Sequence, residues 1–258
     1  YQRILAHPDF DRYDLSAFKT KMSTSAPLRA QVKADVLKRW PGRLIEIYGL
    51  TEGGGSCMLE ANLHPDKLHT VGKPGFGVEL KILDEQGNEL PQGEVGEIVG
   101  RAEMMMKGYY KQDAKTRELF WYDKDGRLFF KSGDMGRIDE DGFVVLLDRK
   151  KDMIISGGFN VYAADIEVLL LKHPDLVDAA VIGVPSEQWG ESAMALCVRR
   201  DGSTLSEEAV REWANAQLSK TQRLVAVELR DSLPRSTIGK IMKRELRAPY
   251  WEGRAVKI

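Results

Sequence analysis

The sequence predicts an α/β body that carries a β-rich subdomain and is followed by a smaller α+β domain. Three observations predict it. At 258 residues the chain exceeds the length at which a single core stops growing. From Val78 to Asp148 the pattern is one of short strands and tight turns, and the charged run DRKKD at residues 148–152 then interrupts it. Beyond that run strands alternate with amphipathic helices over about 110 residues, enough for an independent domain. The expected boundary gives domains 1–148 and 149–258.

Within the first domain, PLRAQVKADVLKRW places Leu28, Val32, Val36 and Trp40 at helical spacing, with Pro27 as the predicted helix start. RLIEIYG then reads as a strand ending at Gly49. VELKILDEQGNEL, GEVGEIVGR, GRLFFKSGD and EDGFVVLLD supply the β-rich subdomain, and DEQGNEL, DKDGR and DEDGF carry the residues that reverse such strands. In the second domain MIISG, DAAVIGV, AMALCVRR and VAVELR are predicted strands. Helices are predicted over residues 163–172, 206–219 and 239–246, the first two amphipathic through Ile166, Leu169 and Leu170 and through Val210, Trp213 and Leu218.

Thirty-eight basic residues against 39 acidic ones leave a net charge of -1, which removes any electrostatic case for binding nucleic acid or an anionic membrane. Two cysteines, Cys57 and Cys197, are too few for a disulfide framework or a cysteine-only metal site, so a reducing cytoplasm is expected. No apolar run approaches the ~20 residues of a membrane span. The chain opens at Tyr1 in mid-pattern, and the expectation is a piece of a longer protein.

Four segments can carry chemistry. YGLTEGGG (48–55) follows a strand, where open α/β sheets bind ligands. There Gly49 lets a flat ring approach the backbone, Thr51 offers a hydroxyl to phosphate, and Glu52 offers hard oxygen to Mg²⁺. A polar turn with a flexible glycine run is the commoner reading of such a stretch alone. In FFKSGDMGRIDEDG, Asp134 follows a glycine and could accept both hydroxyls of a ribose, or be an ordinary turn aspartate. In LDRKKDMIISGGFNVYAADIE, Arg149 stands at the boundary and Gly157 and Gly158 follow a strand, although charge runs are usually solvated linkers. In PRSTIGKIMKREL, Pro234 and Ile241 stand where a phosphate-binding P-loop needs glycine and Ser or Thr, so that motif is excluded. Lys240 instead reads as a lysine at a helix start, where the helix dipole disfavours a cation.

Together, YGLTE, GEIVGRAEMMMKGYY, KSGD, DRKKDMIISGGFNVYAADIE and LPRSTIGKIMKREL resemble, in order and spacing, the core motifs of the adenylate-forming superfamily. That superfamily comprises acyl-CoA synthetases, peptide-synthetase adenylation domains and luciferases. DRKKDMI and SGGFNVY are most similar to fatty or other carboxylic acid:CoA ligases. The resemblance covers essentially the whole chain, but the family's Ser/Thr/Gly-rich phosphate loop is absent. The expectation is therefore the end of the large domain followed by a complete, mobile small domain, inactive on its own.

The resemblance implies a ligase that joins a carboxylic acid to ATP, releases pyrophosphate, and passes the acyl group from AMP to CoA, with Mg²⁺ as cofactor. It implies that Tyr48 and Gly49 flank adenine with Ser25 and Ala26 near the other side, and that Thr51 holds phosphate and Glu52 holds Mg²⁺. Asp134 and Arg149 would grip the ribose, Lys151 (less so Lys150) would be the hinge, Gly157 and Gly158 would line the CoA passage, and Lys240 would be the catalytic cation. GGGSCM after Glu52 suggests an open floor to the acyl pocket. The alternatives are transfer to a carrier-protein thiol, or a non-catalytic module that binds a nucleotide or partner.

Overall fold

The computed structural model describes residues 1–237 and 239–252. Contacts divide the chain into two compact units, Tyr1–Leu146 and Leu147–Ile258. The first unit begins with a short helix α1 (Gln2–Leu5), strand β1 (Thr20–Ser23), helix α2 (Ala30–Arg39) and strands β2 (Arg43–Gly49), β3 (Ser56–Glu60) and β4 (Lys73–Pro74). These strands form a four-stranded sheet in the order β1-β2-β3-β4, with β1 parallel to β2 and the rest antiparallel. Val36 of α2 and Trp40 just after it pack with Leu44 of β2 and Leu59 of β3, which is the apolar face the helical spacing implied.

The helix starts three residues after Pro27. Glu46 on β2 accepts the Leu28 N–H at 2.9 Å, which keeps the backbone extended through Arg29 (φ -59°, ψ 141°). One polar side chain from the neighbouring strand thus delays the helix that local pattern alone would begin.

The second sheet comprises β5 (Glu79–Leu83), β6 (Gly96–Arg101), β7 (Phe120–Tyr122), β8 (Leu128–Ile138) and β9 (Val144–Arg149), with helix α3 (Asp113–Glu118) between β6 and β7. Its order is β5-β6-β8-β7, with β9 also pairing β8. Aspartates close its turns: Asp84, Asp123 and Asp139 each accept backbone N–H groups two to four residues ahead. Cys57, Val71, Ile82, Ile98 and Val144 form one buried cluster shared by the two sheets.

The second unit contains β10 (Ile154–Ser156), β11 (Phe159–Val161), α4 (Ala163–Leu170), β12 (Leu176–Ser186), β13 (Gly190–Arg199), α5 (Glu207–Asn215), β14 (Leu224–Arg230) and α6 (Lys243–Trp251). Its sheet runs β11-β10-β13-β12, with β14 parallel to β13. The apolar run along β12 is buried on both faces. Ala179 and Val181 join α4 and α5 in one cluster, while Ala180 and Ile182 join Leu246 of α6 in another. Ser206 caps α5 by accepting the Ala209 N–H at 3.2 Å. The helix stops at Asn215, whose amide exchanges two hydrogen bonds with the Leu224 backbone (2.8 and 3.0 Å).

The helix expected over residues 239–246 forms only from Lys243. Arg235 and Ile241 instead form an antiparallel bridge, and the Met242 N–H closes on the Pro234 carbonyl at 2.9 Å. Lys240 therefore sits on a turn and not at a helix start, so the helix dipole places no cost on its charge. Ile238 lies outside the described residues.

Candidate functional site

In the first unit β2 ends at Tyr48 and Gly49, and the Leu50 carbonyl accepts the Gly53 N–H at 3.0 Å. That turn carries Thr51 and Glu52, the former exposed. The Tyr48 hydroxyl donates to Asp134 Oδ2 at 2.7 Å. Asp134 is buried on β8, and its N–H donates to Ser132 Oγ (3.0 Å), which donates to the Ile98 carbonyl (2.7 Å). Burial first, and the Asp134 charge second, push the Tyr48 phenol well above its usual range, so it stays a hydrogen-bond donor.

Glu52 is held at both ends. Its carbonyl accepts the Met106 N–H at 2.8 Å, and its Oε1 accepts the Tyr109 hydroxyl at 2.5 Å. The bond to Glu52 raises the Tyr109 phenol. Beside Tyr109 a groove of about 410 Å³ opens between Lys107, Thr116, Arg117 and Phe120. Tyr109 was not singled out from sequence, although it stands in the quoted KGYY segment, because nothing local shows that it reaches a residue 57 positions earlier.

Ser25 and Ala26 lie between β1 and α2. Ser25 has φ +73°, a left-handed conformation that non-glycine residues rarely adopt and that concentrates at functional loops. The segment is tied to β2 by the bond from the Leu28 N–H to Glu46, which is itself ion-paired with buried Lys33. Lys33 also donates to the Thr70 carbonyl at 2.8 Å, and burial pulls it below the usual lysine range against the attraction of Glu46. The pair joins the Ser25–Ala26 segment to the strand that ends in Tyr48 and Gly49, and neither residue stood out in the sequence.

The glycine run after Glu52 is neither flexible nor an open floor. A Cβ on Gly54 would lie 2.3 Å from Phe130 Cβ, and one on Gly100 would lie 1.8 Å from the Gly54 carbonyl oxygen. These glycines allow β6 and β8 to approach the loop at backbone distance.

In the second unit Arg149 ends β9 and is half-buried, and residues 150–152 make one 3₁₀ turn with Lys150 and Lys151 exposed. The Lys151 carbonyl accepts Arg247 Nη1 of α6 at 3.2 Å. Lys243, on the same helix, donates to Glu167 Oε1 at 2.9 Å and stands 3.9 Å from Asp148 Oδ1. Burial opposes the Lys243 charge, yet Glu167 and Asp148 hold it above the usual lysine range. Gly157 and Gly158 form the two-residue turn between β10 and β11, with φ +59° and +81° as that turn requires. A Cβ on Gly157 would meet the Trp189 ring at 2.7 Å. Lys240 is exposed on its turn.

Burial pushes both thiols, Cys57 and Cys197, up to about 12, which removes them as nucleophiles. Among the described residues no group of three or more His, Cys, Asp or Glu could hold a metal by itself, and no helix is long and apolar enough to cross a membrane.

Two family models match this chain: AMP-binding enzyme over residues 1–110, and AMP-binding enzyme C-terminal domain over residues 165–240. The chain belongs to the AMP-binding enzymes. Among AMP-binding enzymes it is 36% identical over 251 residues to a feruloyl-CoA synthase from Amycolatopsis sp, covering 97% of this chain and 50% of the relative. It is 35% identical over 260 residues to a long-chain-fatty-acid–CoA ligase of Bacillus subtilis (strain 168), covering 100% and 45%. The fold matches that of ATP-bound MatB from Rhodopseudomonas palustris with a TM-score of 0.87 and 35% identity, over 98% of this chain and 49% of that one. The chain thus spans about half the length of the curated relatives it matches.

Proposed function

We propose that this chain is part of an ATP-dependent carboxylic acid:CoA ligase, which activates a fatty or related acid as acyl-AMP and then forms acyl-CoA. The observation that carries this reading is the 2.7 Å bond between Tyr48 and Asp134, which joins two motif segments 86 residues apart beside the turn bearing Glu52. The names of the relatives, CoA synthases and ligases for aryl and long-chain fatty acids, support CoA as acceptor.

In this mechanism Ser25, Ala26, Tyr48 and Gly49 bind adenine, and Asp134 accepts hydrogen bonds from the ribose, oriented by Tyr48 through one oxygen. Arg149 contributes to the same ribose. Thr51 donates its hydroxyl to phosphate. Glu52 fits Mg²⁺, an ion that keeps several waters and takes only one or two carboxylates alongside phosphate, because Tyr109 engages Oε1 and leaves Oε2 as a hard oxygen. When bound, the ion neutralises phosphate charge.

The first half-reaction brings a carboxylate to the α-phosphate of ATP, two anions. The carboxylate oxygen attacks phosphorus, and pyrophosphate leaves. Lys240 offsets the repulsion and stabilises the charge that develops on the oxygens in the transition state. Thioester formation needs no such cation, and the exposed turn allows Lys240 to be withdrawn as the second unit moves about the hinge at Lys151. Gly157 and Gly158 then face the pantetheine arm of CoA. A cytoplasmic setting agrees with two free cysteines.

Acid-dependent pyrophosphate release by the full-length protein, across fatty and aryl acids and with and without CoA, tests the reading. An acyl-CoA product is the expected outcome. Acid-dependent release without a CoA ester would replace CoA by a carrier-protein thiol, and no acid-dependent release would overturn adenylation itself.

A further inference from the structure

Lys240 projects from a turn whose backbone is closed several times over. The Ser236 N–H donates to the Lys240 carbonyl and the Gly239 N–H to the Ser236 carbonyl, both at 2.8 Å. The Lys240 N–H donates to Ser236 Oγ at 3.2 Å, and Gly239 has φ +83°. Arg235, at the base of the turn, divides its guanidinium between two acceptors. Nη1 donates to the Gly239 carbonyl at 2.6 Å, and Nη2 pairs with Oδ2 of Asp178 on β12.

The Gly239 carbonyl and the Lys240 N–H belong to the same peptide unit, which is planar. Arg235 holds that plane from its carbonyl side and Ser236 holds it from its N–H side. The direction in which the Lys240 side chain leaves the backbone is thereby referred, through Arg235 and Asp178, to the doubly buried strand β12. Asp178 is only 16% exposed and Arg235 40%, so the anchor lies at the sheet and the turn it reaches lies at the surface.

We propose that Arg235 is a positioning residue for Lys240: its bridge from Asp178 to the Gly239 carbonyl sets the peptide plane that aims the lysine at the reacting oxygens. This rests on the reading of Lys240 given above. Arginine suits the position because its planar fork serves two acceptors in fixed directions, whereas lysine is a point charge on a flexible stem. The pair is open to solvent on its Arg235 side and contributes only modestly to stability, so removing the bridge should leave the fold standing while misaligning the lysine.

The test uses the full-length protein with Arg235→Lys, Arg235→Met, Asp178→Asn and the double variant Arg235→Met/Asp178→Asn. Acyl-adenylate formation, thioester formation from supplied acyl-adenylate, and the melting temperature are measured for each. Arg235→Met is expected to lower kcat of adenylation by about 10- to 50-fold, short of the 10²–10³ typical of removing a donor itself, with KM for ATP within about twofold. Arg235→Lys should not restore it, Asp178→Asn should lose part of it, and the double variant should be no worse than Arg235→Met. Thioester formation and melting temperature should hardly change. Wild-type adenylation in Arg235→Met, or full rescue by Arg235→Lys, overturns the inference, as does equal loss of both half-reactions with a lowered melting temperature. Lys240→Ala run in parallel separates the two ideas: if it leaves adenylation intact, the reading of Lys240 fails, whatever Arg235 does.

Discussion

The Tyr48 hydroxyl and the Asp134 carboxylate lie 2.7 Å apart, so the end of one sheet's strand fixes the side chain of a residue on another. The Asp134 backbone is held as well, since its N–H donates to Ser132 Oγ. A carboxylate with one oxygen engaged by a phenol presents the other in a set direction.

Tyr48→Phe removes that constraint and keeps the ring. A hydrogen bond to a charged group contributes about 1.5 kcal/mol at the low end, or roughly tenfold in affinity. AMP should bind about tenfold more weakly to the full-length variant by calorimetry, while 2′,3′-dideoxy-AMP, which lacks the hydroxyls Asp134 would accept, should bind as it does to wild type. Equal weakening of both ligands would assign Tyr48 to adenine alone.

Lys240→Ala should slow acyl-adenylate formation by about 10²–10³ while thioester formation from supplied acyl-adenylate continues. Rapid-quench measurement of each half-reaction in the full-length protein decides it. Equal losses in both would remove the need for a lysine that enters and withdraws.

Gly100→Ala forces a Cβ to within 1.8 Å of the Gly54 carbonyl oxygen, a backbone atom that can move only with the loop after Glu52. Overpacking of this kind costs about 3 kcal/mol. The melting transition of the first unit should fall by several degrees or be lost, and an unchanged transition would mean that the loop yields freely.

Asp123 gives the first unit an acid sensitivity. Burial works against its charge, but the Arg127 N–H and guanidinium, with the Asp125 N–H, bring it down to about 2. A carboxylate that is more acidic folded than unfolded stabilises the fold above the unfolded value of about 3.9, and this contribution is lost as pH falls towards 2. Asp123→Asn should lower the melting temperature at pH 7 and flatten its decline between pH 5 and 2.5. A decline as steep as in wild type would place the acid-labile group elsewhere.

Much of the fold is legible in residue order, for identifiable reasons. The β12 and β13 segments are apolar without alternation because helices cover both faces, and the aspartate-glycine turns of the second sheet announce themselves. Lys240 shows where reading stops. KIMKREL suits a helix by local preference, and the Arg235–Ile241 bridge with the closure of Met242 on Pro234 delays it to Lys243. Glu46, Lys33 and Tyr109 were illegible for another reason: each acts across 13 to 57 positions, through a contact that has no sequence period. The glycine run misled in the opposite sense, since tight packing and looseness both call for a residue without a side chain.

That backbone contact between Gly54 and Gly100 also bears on redesign. Libraries that seek a new acid substrate commonly enlarge or shrink pocket walls by substitution, and the glycine run looks like an inviting target. Here an added Cβ at Gly53 would strike the Met104 carbonyl and one at Gly54 the Phe130 side chain, so diversity introduced at those two positions would mostly yield unfolded variants. Met104, 87% exposed on the segment that closes over Glu52, offers adjacent positions where side chains can be exchanged without parting the strands.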